Sequence, residues 1–363
     1  MSDDLFRMAL GSYGPPWRFK DENSVEAQSV QQSLDFFRWA INSQRRAVGP
    51  AGIIHCDLIG NPAFNALATT YKNHEFVTLF SGAINSIYTT FFGMLSDPEF
   101  LPSICNALGE SVSKKASELV RSGMFLPSHL PKDAQRLQAA RDFSALTCLF
   151  ILLHEVGHIV QGHSTFLQRK QGMPIYEEVP VFTLNAKESE TRLAFEWEAD
   201  EYAAIASYQV VHALFQDISL FPTLQSLDTD LIWSISASTT FVLIGYFSAG
   251  MTSSSPTHPP ALYRYVWSMM SVEAALECKH FSPDSASFRA GFAEVANWFK
   301  RNRLDIISGG ASAEYQAAYH LQGFDEQYKS IKQVLASEED FLSQIAEQRY
   351  IGAEAWRARQ PHA

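Results

Sequence analysis

The sequence predicts an α-dominated α+β fold, in which one mostly helical domain carries a small sheet and has helices added at both ends. Hydrophobic residues make up 46% of the 363 residues, which is enough to build a substantial core and excludes disorder as the main state. Three short β-rich segments lie in residues 53–79 and a further short extended piece is expected within a loop over 171–185, whereas apolar residues at spacings of three and four recur through most of the remaining chain.

The first half of the chain contains the predicted strands. An amphipathic helix over residues 23–46 precedes them, and a helix with one buried stripe begins after Ser81. Turn residues rich in Gly, Pro and Asn separate the extended segments. These segments are, in chain order, 53–59, 65–68 and 76–79.

The second half is predicted to be helical. One segment, 231–251, has 21 uncharged residues and could cross a bilayer by length. Its six Ser and Thr hydroxyls, and the lack of flanking Lys or Arg clusters, favour a buried core helix, so we predict no transmembrane segment. The predicted helices before the helical C-terminal region are 101–122, 134–170, 186–215 and 231–251.

The charge balance excludes some classes of partner. Lys and Arg (28) against Asp and Glu (39) give a formal net charge of −11, and there is no local basic patch for nucleic acid or anionic membranes. Four widely spaced cysteines without a CxxC pair indicate free thiols in a reducing compartment. The acidic start lacks the layout of a secretory signal, so we expect a cytoplasmic protein with no membrane insertion.

The main chemical signal is the motif His154-Glu155-Val156-Gly157-His158. On a helix, residues i and i+4 share a face, so the two imidazoles can bind one Zn²⁺ ion. Glu155 is rotated away from this pair and can reach a metal-bound water as general base, and the metal lowers the pKa of that water to about 7. The motif predicts one zinc per chain, and the alternative is a pair of surface histidines.

A catalytic zinc also needs a third protein ligand and an open fourth position. His163 is one candidate. In the metzincin pattern, a Gly and the third His follow the first His by seven and ten positions, whereas here Gly162 and His163 follow His154 by eight and nine. His163 is therefore expected to be a polar residue at the helix end.

The second candidate for the third ligand is Glu196, which forms another i, i+4 pair with Asp200. Glu196 would bind the metal, while Asp200 would accept the ring N–H of a ligand histidine. The alternative is that these carboxylates belong to an acidic helix face in solvent. Glu198 and Glu201 are themselves expected to face solvent. Apolar neighbours such as Trp197 favour a partly buried helix with inward carboxylates that need partners.

These residues resemble the gluzincin metallopeptidases, and most closely the family of CaaX prenyl endopeptidases and the heat-shock protease HtpX. The family's Glu-x-x-Ala-Asp matches residues 196–200, its Thr-His-Pro-Pro-x-x-x-Arg resembles 257–264, and its Asn-Ala-Phe-Ala segment resembles 65–68. The likeness spans about residues 53–270. This chain departs from it in a short gap of 38 residues between His158 and Glu196, and in lacking evident transmembrane helices. A looser likeness is to the phage-exclusion peptidase Lit.

The resemblance implies a zincin-like helical domain with a small sheet whose edge strand binds substrate. This domain would cover 51–270, after an N-terminal arm and helix (1–50) and before a C-terminal helical extension packed on it (271–363). The resemblance also implies roles for individual residues: zinc ligands His154, His158 and Glu196, base Glu155, and supporting carboxylate Asp200.

Four further residues receive roles by resemblance. Asn65 and the main chain around Ala66 would hydrogen-bond an extended peptide substrate. His258 would either stabilise the oxyanion of a tetrahedral intermediate or simply cap its loop. Arg264 would pair with a carboxylate near the site.

The sequence thus predicts a zinc-dependent endopeptidase that hydrolyses peptide bonds by attack of a zinc-bound water activated by Glu155. Its partner would be a protein or peptide substrate. One alternative is a non-catalytic protein-binding or regulatory module that retains a metallopeptidase fold, which would require a blocked cleft. Another is a membrane-embedded protease that uses residues 231–251.

Overall fold

A computed structural model shows a mostly helical chain with one four-stranded mixed sheet, which confirms the α-dominated α+β prediction. The described residues are 3–18, 25–48, 53–72, 74–104, 107–110, 130–171, 175–177, 186–217, 221–248, 261–277, 285–302, 329, 333–334 and 336. The helices are α1 (Asp3–Leu10), α2 (Val25–Val48), α3 (Ser81–Leu95), α4 (Ala134–Val160), α5 (His163–Gln171), α6 (Ala186–Asp217), α7 (Thr229–Ser248), α8 (Ala261–Glu277) and α9 (Ser285–Arg301).

The sheet has the order β1-β3-β2-β4, with β1 parallel to β3 and β2 antiparallel to both of its neighbours. Among the described residues, the strands at its edges are therefore β1 and β4. The strand bounds are β1 (Ile54–Ile59), β2 (Ala66–Tyr71), β3 (His74–Phe80) and β4 (Ile175–Glu177).

The predicted placement of the Asn65–Ala66 segment on an edge strand needs correction. β2 is an inner strand, because β4 pairs with Leu67, Ala68 and Thr69 on its second side. The short extended piece expected within 171–185 is β4, but a strand of three residues carries too little pattern to show which strand it pairs with. The Asn65 side chain accepts a hydrogen bond from the main-chain N–H of Ala66 at 2.9 Å, and substrate binding by these two residues stays a prediction.

The predicted helix over 134–170 is two helices, α4 and α5. Gly162 separates them with a φ of 82°, a left-handed conformation that favours glycine. Its N–H donates to the carbonyl of Ile159, and that of Gln161 donates to the carbonyl of Gly157. The chain therefore turns sharply just after the His-Glu-x-x-His motif.

The start of the predicted helix over 101–122 is also wrong. Residues 101–104 form turns and Ala107–Gly109 forms a short 3₁₀ helix, while 111–122 lie outside the described residues. The buried guanidinium of Arg136 stabilises these turns, because it donates to five main-chain carbonyls at and after the end of α3, of which those of Leu101 and Ile104 lie within the predicted helix. These carbonyls belong to Leu95, Asp97, Phe100, Leu101 and Ile104.

Helix α4 is the centre of the core and packs against the sheet, α3, α6 and α7. Both α4 and α7 are long and apolar enough to cross a membrane, but their apolar stretches are 100% and 72% buried inside the molecule. Core helices of soluble proteins show the same property, so cellular location stays a prediction.

The terminal segments pack on the central part of the chain. Phe6 and Leu10 of α1 join a buried cluster on the sheet, and α9 adds Phe288 and Trp298 to the main core. The predicted division at residues 50 and 270 stays a prediction. Cys56 and Cys148 are buried free thiols, as expected, whereas the other two cysteines lie outside the described residues.

Candidate metal centre

The candidate site forms where α4 and α6 approach each other closely. A Cβ atom added to Gly157 would lie 3.0 Å from the Cα of Ala199 and 3.1 Å from its carbonyl oxygen. No side chain separates the two backbones at this point. The two i, i+4 pairs, one on each helix, therefore face each other across the contact.

His154, His158 and Glu196 form one buried cluster. Nε2 of His154 lies 2.9 Å from Nε2 of His158 and 3.4 Å from Oε2 of Glu196, and Nε2 of His158 lies 3.7 Å from Oε1 of Glu196. Two ligands at about 2.0–2.1 Å from a tetrahedral zinc are separated by about 3.3 Å, which falls within this range. The three side chains could therefore hold one metal ion.

His163 is not a member of this cluster. Among the residues that the structure describes, the side chains whose ligand atoms converge within 4.8 Å are His154, His158 and Glu196. Of the two candidates for the third ligand, Glu196 is the one that lies near the Nε2 atoms of both histidines.

A carboxylate lies next to Nδ1 of His154. This nitrogen lies 2.9 Å from Oδ1 of Asp200, which is where a carboxylate must lie to fix the ring and leave Nε2 for a metal. Arg264 in turn donates two hydrogen bonds to Asp200, at 2.7 and 2.8 Å, so it pairs with a carboxylate near the site as expected. This planar two-point pairing fixes the carboxylate itself.

The candidate general base, Glu155, follows His154 on α4 and is fully buried. Glu155 and His158 are 0% exposed, Glu196 is 1% exposed and His154 is 3% exposed. Burial also raises the pKa of the nearby Tyr202 hydroxyl, so this side chain is a neutral phenol. The centre as a whole is closed to solvent in this conformation.

His163 contacts His158 from outside the metal-ligand cluster, and the sequence did not indicate this role. Nδ1 of His163 lies 3.0 Å from Nδ1 of His158, and Nε2 of His163 lies 2.9 Å from Oε2 of Glu198. The predicted exposure of Glu198 is therefore wrong: its side chain is only 15% exposed and it binds a fully buried histidine. The available signal was Gly162, a helix-ending residue that turns the chain back at His163.

The roles of the remaining predicted site residues stay predictions. His258 lies outside the described residues, so both of its predicted roles stay open. Asn65 and Ala66 lie at the start of β2, in a sheet on which α4 packs.

Comparisons of the chain with protein-family models, with curated proteins and with solved structures found no match. The gluzincin resemblance therefore rests on the motifs of this chain alone and stays a prediction. The buried His-His-Glu cluster supports a metal site, without identifying the metal as zinc.

Proposed function

We propose that this protein is a zinc-dependent endopeptidase of the gluzincin type. The observation that carries this proposal is the convergence of His154, His158 and Glu196 at ligand spacing, directly beside Glu155. Two histidines and a carboxylate are a typical ligand set of catalytic zinc, and they leave a fourth position for water or substrate.

The residues around this cluster would each have a separate role in peptide hydrolysis. A bound zinc ion would lower the pKa of a coordinated water to about 7 and polarise the substrate carbonyl. Glu155 would accept a proton from the attacking water and donate it to the leaving amine nitrogen. Asp200, held by Arg264, would keep the ring of His154 in the orientation that presents Nε2.

The burial of the site favours a second candidate, a protein-binding or regulatory module that retains this centre without turnover. Because Glu155 and the three ligand side chains are at most 3% exposed, a polypeptide cannot reach them in this conformation. An endopeptidase of this fold would therefore have to open before it acts, whereas a binding module would not.

Metal content and hydrolysis test the proposal together. We expect about one zinc per chain in the wild type purified without chelator, and much less in Glu196→Ala. Glu155→Gln should keep the zinc but lose hydrolysis of an unfolded protein substrate, measured by mass spectrometry of fragments. A wild type without zinc would contradict the proposal.

The same three proteins separate the two candidates. If the wild type holds zinc but cleaves nothing, and cells that express Glu155→Gln have the same phenotype as cells that express the wild type, the binding module is the correct assignment. If that phenotype disappears with Glu155→Gln while zinc remains, the endopeptidase is correct. In that case the cytoplasmic location and a protein or peptide substrate remain part of the proposal, to be tested by fractionation and substrate capture.

A further inference from the structure

The pair His163 and Glu198 meets the metal-ligand cluster at Nδ1 of His158, whereas Glu196 lies near Nε2 of the same ring. His163 touches His158 through Nδ1 at 3.0 Å and Glu198 through Nε2 at 2.9 Å, so one imidazole connects a ligand histidine to a carboxylate. His163 lies five residues beyond the motif, at the start of α5, whereas Glu198 lies on α6.

The hydrogen bonds determine which ring nitrogen of His158 and of His163 is protonated when a metal is bound. A metal takes the lone pair of His158 Nε2, so the proton of that ring is on Nδ1. Nδ1 of His163 must then accept it, which places the proton of His163 on Nε2, where the Glu198 carboxylate accepts it. Each contact thus has one donor and one acceptor, and Nε2 of His158 is left to bind the metal.

His163 is also fixed in place by its neighbours. Its ring stacks on Phe195 with centroids 4.0 Å apart and planes 9° apart, and Phe166 packs edge-on against the same phenyl ring at 5.1 Å. The left-handed turn at Gly162 delivers the residue to this position. A histidine that is buried, stacked and hydrogen-bonded at both nitrogens keeps one orientation, which is what the support of a metal ligand requires.

We propose that His163 and Glu198 are positioning residues that orient His158 for metal binding, in the way that Asp200 orients His154. This inference rests on the proposed function, because it needs a metal at the His154, His158 and Glu196 cluster. The two ligand histidines would then each have their own support: Asp200 with Arg264 on one side, and His163 with Glu198 on the other.

The test measures zinc affinity by competition with a chromophoric chelator, and the absorption spectrum of the Co²⁺-loaded protein. His163→Leu removes the acceptor for His158 and should weaken zinc binding about 10- to 100-fold. His163→Asn keeps an acceptor oxygen near the position of Nδ1 and should recover most of this loss. Glu198→Gln keeps an acceptor for His163 and should bind zinc nearly as the wild type does, whereas Glu198→Leu should not.

Controls separate positioning from packing. Glu201→Gln changes another carboxylate of α6 and should leave zinc affinity and the Co²⁺ spectrum unchanged. The unfolding free energy of each metal-free variant shows whether the protein folds before metal is added. A Co²⁺ spectrum that shifts in His163→Leu and returns towards the wild type in His163→Asn would support orientation of His158, because packing alone does not predict this recovery.

Two results would overturn the inference while leaving the proposed function intact: wild-type zinc affinity in His163→Leu, or equal losses in the Leu and Asn variants. The second result would assign His163 to packing alone. Absence of zinc binding by the wild type would instead overturn the proposed function, and this inference with it.

Discussion

Arg136 illustrates how much structure one buried side chain can organise. Its guanidinium is 0% exposed and donates five hydrogen bonds to main-chain carbonyls between Leu95 and Ile104, at 2.7 to 3.1 Å. Arginine presents five donors in a rigid fork, whereas lysine has three. The turns that follow α3 are therefore tied to α4 by a single residue that lysine cannot replace.

We accordingly predict that Arg136→Lys lowers the unfolding free energy by roughly 3–5 kcal/mol, since at least two buried carbonyls lose their donor at about 1–3 kcal/mol each. Urea unfolding at pH 7 measures this loss. Arg7→Lys, at an exposed position, is the matched control and should change stability by less than about 0.5 kcal/mol. A loss equally small for Arg136→Lys would mean that water replaces the missing donors.

Asp142 makes the stability of the protein depend on pH. Burial raises the pKa of this carboxyl to about 6, although Thr223 and Gln138 donate hydrogen bonds to it at 2.6 and 2.8 Å. Because the folded-state pKa lies above the unfolded value of 3.8, the folded state binds the proton more tightly. Its stabilising effect is complete below about pH 4 and is lost as the pH rises through 6.

Asp142→Asn should therefore gain stability relative to the wild type between pH 4 and pH 7, by on the order of 2 kcal/mol. The asparagine remains neutral and can still bond to both Thr223 and Gln138. Urea unfolding of both proteins at pH 4, 5.5 and 7 gives the difference at each pH. Asp35→Asn, at an exposed carboxylate, is the matched control, and a difference for Asp142→Asn that does not vary with pH would contradict the prediction.

At the scale of elements, the contact between α4 and α6 sets the geometry of the metal centre. Gly157 and Ala199 are the two small residues at this contact, and even one added Cβ would meet backbone atoms at 3.0 and 3.1 Å. Gly157→Leu must push the helices apart and separate the histidines from Glu196. We predict that this variant loses its zinc, measured by metal analysis of the purified protein.

The control for this prediction is Gly109→Leu, because a Cβ added at Gly109 meets nothing within 4 Å. This variant should keep the wild-type zinc content. Gly157→Ala should lie between the two, since its single methyl group requires a shift of only a few tenths of an ångström. Full zinc content in folded Gly157→Leu would show that the close contact is not needed for the site.

Both helices of the centre could be predicted from sequence because an i, i+4 pair is local: once a helix forms, its two side chains share a face. The arrangement of the sheet could not, because β4 is three residues long and its pairing with β2 depends on a distant segment. His163 was misjudged for a related reason. Its contact with His158 depends on the φ angle of Gly162, and spacing alone does not reveal this.

For the whole molecule, composition correctly predicted a large core and a helical majority, but not how deep the centre lies. The main core includes residues of α4, α6 and α7, and the metal-ligand cluster sits between the first two of these helices. A metal bound there joins the two helices through ligands, His158 and Glu196, that are 38 residues apart in sequence. Metal binding and overall stability should therefore be coupled, because a ligand that binds only the folded state stabilises it.

The coupling predicts that a strong chelator lowers the melting temperature of the wild type by several degrees. Free zinc at 100 times its Kd stabilises the folded state by about 2.7 kcal/mol, and the chelator removes this contribution. Glu196→Ala should melt at the same temperature with and without chelator, because its cluster lacks the carboxylate from α6. Equal melting temperatures of the wild type in both conditions would contradict a metal that joins α4 and α6.

A second histidine pair makes one more variant necessary. Nε2 of His55 and Nδ1 of His74 lie 3.2 Å apart on neighbouring strands, near the spacing of two ligands on one ion, and both rings reach the surface. This pair could bind zinc in solution without stabilising the helices. His55→Ala should therefore keep the full chelator-dependent shift, whereas loss of the shift in this variant would place the stabilising metal on the sheet and not at Glu196.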